Sequence, residues 1–291
     1  LRTRRRAAAA GVVRGERRLM APAASGRRRL LRLGPQGRSW TTDAVVIEEP
    51  MEIRAGGVPV AVTMRTPGHD FDLAVGFLVT EGVIAGAEQI ASIRTCEVAA
   101  DGRHNILEVE LTASAPGFDP ARARAFYVSS SCGLCGRASL DAVRTRARWE
   151  VADDPVRVSP GLLAELPARL REAQRVFDRT GGLHAAALFD SGGRLLCVRE
   201  DVGRHNAFDK VIGWAATDGR LPLRSHLILA SGRASFELVQ KALLAGIPVL
   251  AAVSAPSSLA IELAEEAGMT LVGFLRDGGM NVYAGHERID L

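Results

Sequence analysis

The stretch Ser131-Cys132-Gly133-Leu134-Cys135-Gly136 points most directly to chemistry. Two cysteines stand two residues apart, and each is followed by glycine. The apolar run Ala125-Phe126-Tyr127-Val128 precedes them and reads as a strand; Arg137-Ala138-Ser139-Leu140 follows and reads as a helix opening. A thiol at such a strand-to-helix turn lies near the positive end of the helix dipole, which favours the thiolate and lowers its pKa. The glycines let another backbone, or a bulky sulfur donor, come close.

Four readings suit this pair. A structural zinc site needs four ligands, usually with a second pair at short spacing. Here Cys96 and Cys197 are isolated, and no two histidines lie three to five residues apart. A zinc deaminase needs His-x-Glu and, later, Pro-Cys-x-x-Cys. His184-Ala185-Ala186 lacks the glutamate and follows the cysteines instead of preceding them. A thioredoxin-like dithiol fits the local geometry, although no thioredoxin-sized βαβ unit with a preceding aromatic surrounds it. The last reading is sulfur transfer, in which one thiolate accepts a sulfane sulfur as a persulfide and passes it on. Spacing alone leaves redox or sulfur chemistry, metal binding and a merely structural pair open.

A second candidate is Glu200-Asp201-Val202-Gly203-Arg204-His205-Asn206-Ala207-Phe208-Asp209-Lys210, which gathers ionisable groups at a helix start. Arg204, His205 and Asn206 could donate to an anion there; the plainer reading is a solvated helix end with local salt bridges. Lys210 is one of only two lysines in an arginine-dominated chain, which suggests a place for a compact point charge. His69, His104, His226 and His286 stand alone. Cys96 and Cys197 lie in apolar strand contexts and are expected to be buried small hydrophobes.

The elements that position these groups fall into two patterns. From Asp43 onward, strand-like runs at 44–47 and 51–53 lead to a turn at Ala55-Gly56-Gly57 and a further strand at 58–62. Residues 71–78 show helical spacing, and 90–98 with 105–111 read as a hairpin. After the cysteines, Ser159-Pro160 marks a helix start, and Pro167 is expected to split that region into two helical pieces ending at Gly181-Gly182. Strands at 184–189 and 195–198 pair next. The last third then alternates: helix 206–216, strand 227–230, helix 236–245, strand 249–253, helix 259–267, strand 270–274. Such alternation implies parallel strands joined by right-handed crossovers, with ligands received at the strands' carboxyl ends. The loops there are Ser231-Gly232-Arg233, Ser254-Ala255-Pro256-Ser257 and Leu275-Arg276-Asp277-Gly278-Gly279, small, polar or basic, as phosphate or ribose groups require.

Length and charge narrow the function classes. A chain of 291 residues buries one large core or two modest ones. The 12 arginines and one glutamate of residues 1–38 sum to +11 against +4 for the whole chain, so the remainder carries −7. A nucleic-acid binder would show the reverse, a basic folded part, so no nucleic-acid partner is expected. No apolar run is long enough to span a bilayer, and the arginine-rich start lacks an apolar signal core, so no membrane association is expected. Four cysteines are too few for a disulfide scaffold, which fits a reducing cytoplasm. The expected organisation is a disordered arginine-rich leader (1–40), a small α+β domain (41–125) and an α/β domain (126–291) with the CxxC turn at its start.

Taken together, these stretches resemble the formate dehydrogenase accessory sulfurtransferase family (FdhD). The matching pieces include Thr66-Pro67-Gly68-His69-Asp70, Ala74-Val75-Gly76-Phe77-Leu78, Ser131-Cys132-Gly133-Leu134-Cys135-Gly136, Thr180-Gly181-Gly182-Leu183-His184, residues 200–210, Ser231-Gly232-Arg233-Ala234-Ser235, Ser254-Ala255-Pro256 and Gly273-Phe274-Leu275-Arg276, in order over roughly 43–288. The resemblance implies a cytidine-deaminase-like three-layer domain with a smaller N-terminal α+β domain, and a homodimer. It implies a persulfide carrier that takes sulfur from a cysteine desulfurase and hands it to the molybdenum cofactor, in its bis(molybdopterin guanine dinucleotide) form, before insertion into formate dehydrogenase. Cys132 maps to the persulfide carrier, with Cys135 assisting. Phe274, Leu275, Arg276, Asp277, Gly278 and Gly279 map to the cofactor-binding stretch. No structural metal is expected. A cofactor-holding chaperone without sulfur chemistry and a dithiol oxidoreductase are the alternatives.

Overall fold

A computed structural model describes residues 23–96, 105–115 and 147–290. Cys132 and Cys135 lie outside the described residues, and so does the expected strand-to-helix turn that carries them.

The first described elements are β1 (Ser25–Gly34) and β2 (Gly37–Val46), an antiparallel ribbon paired along its whole length. This corrects the expectation of disorder for 25–40. The ribbon buries almost nothing on either face, so neither face needs apolar residues and the period-two signal of a half-buried strand is missing. Next, β3 (Glu49–Ala55) and β4 (Val58–Arg65) form a hairpin. Gly56 and Gly57 turn it with φ of +58° and +80°, a conformation that favours glycine. β5 (Ile90–Cys96) and β6 (Ile106–Leu111) complete a four-stranded sheet of order β4-β3-β6-β5. Helix α1 (Asp70–Thr80) stands between β4 and β5 in the chain.

Helix α2 (Pro160–Ala173) starts as the sequence predicts: Ser159 accepts a hydrogen bond from the Leu162 N–H, and Pro160 needs no partner. Pro167 does not split it. A mid-helix proline costs about 3 kcal/mol, but α2 buries Leu163, Leu166 and Leu170 on one face, each worth roughly 1.5–3 kcal/mol. The break comes later, at Gln174, before the short α3 (Arg175–Thr180). Gly181 then stops α3 in the left-handed conformation.

The second sheet contains β7 (His184–Asp190), β8 (Leu195–Asp201), β9 (His226–Ala230), β10 (Val249–Ala252), β11 (Thr270–Arg276) and β12 (Gly279–Ala284) in the order β12-β11-β10-β9-β7-β8. As expected, β9, β10 and β11 are parallel. β12 runs antiparallel to β11, β7 antiparallel to β9, and β8 antiparallel to β7. The sequence reading left β12 out: it is a short, half-exposed edge strand in which Met280, Val282 and Tyr283 are only partly buried.

Helices α4 (Arg204–Thr217), α5 (Phe236–Leu244) and α6 (Ser258–Glu266) fill the crossovers. Successive strand residues face opposite ways. Ala186, Leu188, Ile228 and Leu250 therefore join a core with Phe208, Val211, Leu238 and Leu263 on one face. Ala187, Phe189, Leu229 and Val249 join Leu163, Leu166 and Leu170 of α2 on the other. The result is a mixed α/β (α+β) fold with helices on both faces of the larger sheet. The first core continues without a break into the smaller sheet through Met51, Ile53, Leu107 and Val109. At its centre α1 crosses α4 with almost no gap. A Cβ on Gly76 would lie 1.8 Å from the Asp209 carbonyl oxygen, and one on Gly213 would lie 1.8 Å from that of Asp72. Only glycine lets backbones approach so closely.

Candidate functional site at the strand ends

The carboxyl ends of β9, β10 and β11 point the same way. β7 runs against β9, with Ala186 opposite Ala230, so its first residue, His184, arrives at that same edge together with Asp201 at the end of β8. The loops there are tied to one another. Ser231 exchanges two hydrogen bonds with Ala185, donating from its N–H and accepting on its hydroxyl. The Ser254 N–H donates to the Gly232 carbonyl at 3.2 Å, Ala234 to Ala255 at 3.2 Å, and Phe274 to Ser254 at 3.1 Å. A continuous floor thus crosses from β7 to β11.

At the β11 end the chain is strained. Phe274 has φ +52° and Asp277 φ +54°, unusual for residues with a Cβ. Phe274 sits where the β11–β12 register shifts. Its predecessor must be glycine, since a Cβ on Gly273 would press on Pro256 at 2.8 Å and on Tyr283 at 2.9 Å. Of the six residues named for cofactor binding, Phe274 is half-buried, and Arg276, Asp277, Gly278 and Gly279 form the exposed tip of the β11–β12 hairpin. Leu275 is fully buried in the core beneath α2, so its side chain faces away from any ligand at the tip. The Arg276 guanidinium lies 5.6 Å from the centre of the Phe274 ring, within cation–π range.

The 200–210 motif divides into structural and available groups. Glu200 accepts hydrogen bonds from the Val176 and Phe177 N–H groups at the start of α3. Asp201 is completely buried; it pairs with Lys210 at 2.7 Å and accepts from the N–H groups of Thr66 and Gly203 and from Asn206. Lys210 also donates to the Thr66 carbonyl. Asn206 donates to the Met64 carbonyl and accepts from the Thr63 hydroxyl. The motif therefore clamps the Thr66-Pro67-Gly68 loop onto α4, and Asn206 is spent on that clamp. The second lysine, Lys241, is buried against Asp209 at 2.9 Å, Thr80 at 2.9 Å and Glu81 at 3.6 Å. Burial would lower the Lys241 pKa, but Asp209 and Glu81 hold it above the ordinary lysine value.

Arg204 and His205 remain open to the floor. His205 Nε2 lies 3.3 Å from the Ser235 hydroxyl and 3.8 Å from Glu237. Burial, then Lys241 and Arg204, push the His205 pKa down to about 4. Burial, Arg204 and Arg233 likewise lower His184. Glu237 is held below the usual carboxylate value: burial pushes upward, and is outweighed by its own N–H, the Ser235 hydroxyl, His205 and Arg204. The sequence reading singled out Arg204 and His205 but missed that His184 and Arg233 join them. The signal available was the small, basic Ser231-Gly232-Arg233 loop after β9, next to the strand that begins at His184.

The remaining candidates are structural or peripheral. Cys197 is buried, as expected, and burial pushes its thiol up to about 12. Cys96 is only partly buried, near the exposed end of β5, a correction to the expectation. His69 caps α1 in the left-handed conformation.

Comparison with known proteins agrees with this architecture. Residues 46–290 match the model of the FdhD/NarQ family. A protein named sulfur carrier protein FdhD from Streptomyces avermitilis is 59% identical over 269 residues, covering 91% of this chain and 95% of its own. One of the same name from Mycobacterium tuberculosis is 52% identical over 275 residues, covering 91% and 99%. A crystal structure named for a formate dehydrogenase accessory protein from Desulfotalea psychrophila superposes with a TM-score of 0.73 at 25% identity, covering 92% of this chain and all of that one. On the match over 46–290 and on these identities, the chain belongs to the FdhD/NarQ family.

Proposed function

We propose that this chain carries sulfur as a persulfide on Cys132 and delivers it to the molybdenum cofactor destined for formate dehydrogenase. The Cys132 thiolate attacks the terminal sulfur of a cysteine desulfurase persulfide. The donor's S–S bond breaks, the donor leaves as a thiolate, and Cys132 holds the new persulfide. Cys135 then attacks Cys132 Sγ; the outer sulfur departs as hydrosulfide toward the bound substrate and a Cys132–Cys135 disulfide remains. A cellular dithiol reduces that disulfide by exchange before the next cycle, becoming oxidised itself, which fits a reducing cytoplasm. A homodimer, with the desulfurase and formate dehydrogenase as partners, belongs to the same reading.

The observation that carries it is the glycine-flanked cysteine pair in a chain whose relatives are named sulfur carriers. The hairpin tip supports the substrate half. Phe274 and Arg276 offer an aromatic face and a guanidinium, and a Cβ on Gly278 would meet nothing within 4 Å. Such a tip suits the guanine end of a bis(molybdopterin guanine dinucleotide) substrate.

Incubation with a desulfurase and cysteine should add sulfur to Cys132, located by peptide mass; sulfur found only elsewhere overturns the reading. Cys132→Ala should abolish support of formate dehydrogenase, whereas a simple cofactor holder would retain it. Arg276→Ala should weaken guanine-nucleotide binding, and unchanged affinity would remove the hairpin tip from the proposal.

A further inference from the structure

We propose that the β1–β2 ribbon is an interface between two copies of this chain: the outer edge of β2 pairs with the same edge of a second copy. The product is a four-stranded antiparallel sheet, β1-β2-β2-β1, across a two-fold axis. The inference deepens the homodimer of the reading above by naming its interface, and rests on that reading only for the existence of a dimer. All of the ribbon but its last residue lies before the 46–290 match to the family model. Residues 31–40 are exposed throughout, with Leu31 at 42%, Leu33 at 73% and Trp40 at 64%. Among the described residues neither edge of the ribbon pairs with a further strand. A two-stranded hairpin is marginal alone; three or more strands make a sheet stable.

The two edges differ in chemistry. β1 holds Arg27, Arg28, Arg29 and Arg32, and such charge guards an edge against pairing. β2 holds one cation, Arg38, one anion, Asp43, and the β-favouring run Trp40-Thr41-Thr42. Its free groups follow from the turn. Two residues separate Gly34 from Gly37, so that pair is hydrogen-bonded, and hydrogen-bonded pairs alternate along the ribbon. The N–H groups of Arg38, Trp40, Thr42 and Ala44 therefore point away from β1. The Asp43 carboxylate accepts from the Ala44 N–H at 2.9 Å; those of Arg38, Trp40 and Thr42 have no partner among the described residues. The edge is self-complementary about Thr41. An antiparallel register centred there sets Trp40 opposite Thr42 of the second copy, Ser39 opposite Asp43 and Arg38 opposite Ala44, so no like charges meet directly. Each Trp40–Thr42 pair exchanges two backbone hydrogen bonds and uses the free N–H groups. The two Trp40 rings fall diagonally on one face, within aromatic reach. Leu31 stands beside Trp40 on that face, so the exposed apolar patches of the two copies merge. The arginine-guarded β1 edges then close the sheet at four strands, as a two-fold assembly requires.

The test follows the full chain by sedimentation equilibrium over a dilution series. Wild-type protein should form a dimer. Thr42→Pro removes one outward N–H per copy without touching a hydrogen bond inside the ribbon. It should raise the dimer dissociation constant about tenfold or more, as the loss of two hydrogen bonds implies. Arg27→Pro makes the same change on the β1 edge and should leave the dimer as it is; an equal loss there would trace the effect to ribbon folding and overturn the edge assignment. Thr41→Cys sets a thiol on the two-fold axis, about 4.5 Å between Cα atoms from its own copy, inside the disulfide range. Oxidised glutathione should join the two introduced thiols, with the link located by peptide mass, and this readout stands even if Thr42→Pro disturbs the ribbon. A wild-type dimer indifferent to Thr42→Pro, with no such link, gives the ribbon to another partner and overturns this interface while the homodimer stands. A monomeric wild type overturns both. Sulfur loading at Cys132 is scored on its own and succeeds or fails independently of the interface.

Discussion

Two sets of positive charge lie close together in this molecule and are treated in opposite ways. The two lysines of the chain, Lys210 and Lys241, are both buried, each against an aspartate, with backbone or hydroxyl oxygens taking the remaining donors. The arginines Arg204 and Arg233 reach the strand-end floor without an ion-paired carboxylate among the described residues. A compact ammonium can be enclosed completely by three oxygens, whereas a planar guanidinium presents more donors than a small pocket can meet. The satisfied charges fix the architecture, and the others face the strand-end floor without an ion-paired carboxylate among the described residues. That contrast divides the 200–210 motif into paired and unpaired groups.

The sharpest way to break the comparison is to unpair a lysine. Lys210→Met strands the completely buried Asp201, which should destabilise by about 3–5 kcal/mol, read as a drop in the urea midpoint. Adding Asp201→Asn should recover part of the loss, because the uncompensated charge is gone. If the single variant proved as stable as wild type, the clamp on the Thr66 loop would not be what holds α1 and α4 in register.

Next in size is the crossing that the clamp protects. Gly213→Ala would gain about 1 kcal/mol of helix propensity if space were available. The Cβ would instead sit 1.8 Å from the Asp72 carbonyl oxygen. Overpacking of about 1–3 kcal/mol or more should win, so the thermal midpoint should fall. A rise would mean that the helices separate freely.

Smaller still is the pH response of the floor. The His205 pKa is about 4 in the folded chain, against the ordinary 6.5. Between those values the unfolded chain binds the proton and the folded chain does not, so stability is full above pH 6.5 and declines as pH falls toward 4. His184 adds to the decline in the same direction. A denaturation series from pH 7 to 5 should show the midpoint falling, and His205→Asn should flatten the slope. An unchanged slope would mean that the histidine is not buried beside Lys241 and Arg204 as described.

The sequence revealed the alternating helices and strands of the last third because each strand there is buried on both faces and each helix has one apolar stripe, patterns that short windows display. It revealed the 200–210 motif as a concentration of charge, and the rarity of lysine marked the right residue. It did not reveal the β1–β2 ribbon, which buries neither face. It did not reveal the backbone reversal at Phe274 either, since phenylalanine is not a residue that announces positive φ. The meeting of His184 with Arg233 depends on β7 running antiparallel beside β9. Strand order is a tertiary fact that neither segment encodes locally.

The smallest expected effect is the most telling for the comparison. Arg233→Gln removes a charge that is exposed and ion-paired with no described carboxylate, so folding stability should change by no more than about 0.5 kcal/mol. Arg233 also lowers the His184 pKa, so the substitution should raise that histidine's titration midpoint, measured by proton NMR of the ring. A stability change near zero with a shifted His184 is what an exposed, unpaired charge beside that histidine predicts. A large loss of stability with His184 unmoved would instead make Arg233 a structural residue like the lysines, and the distinction between paired and unpaired charges would fail at the position where it is easiest to see.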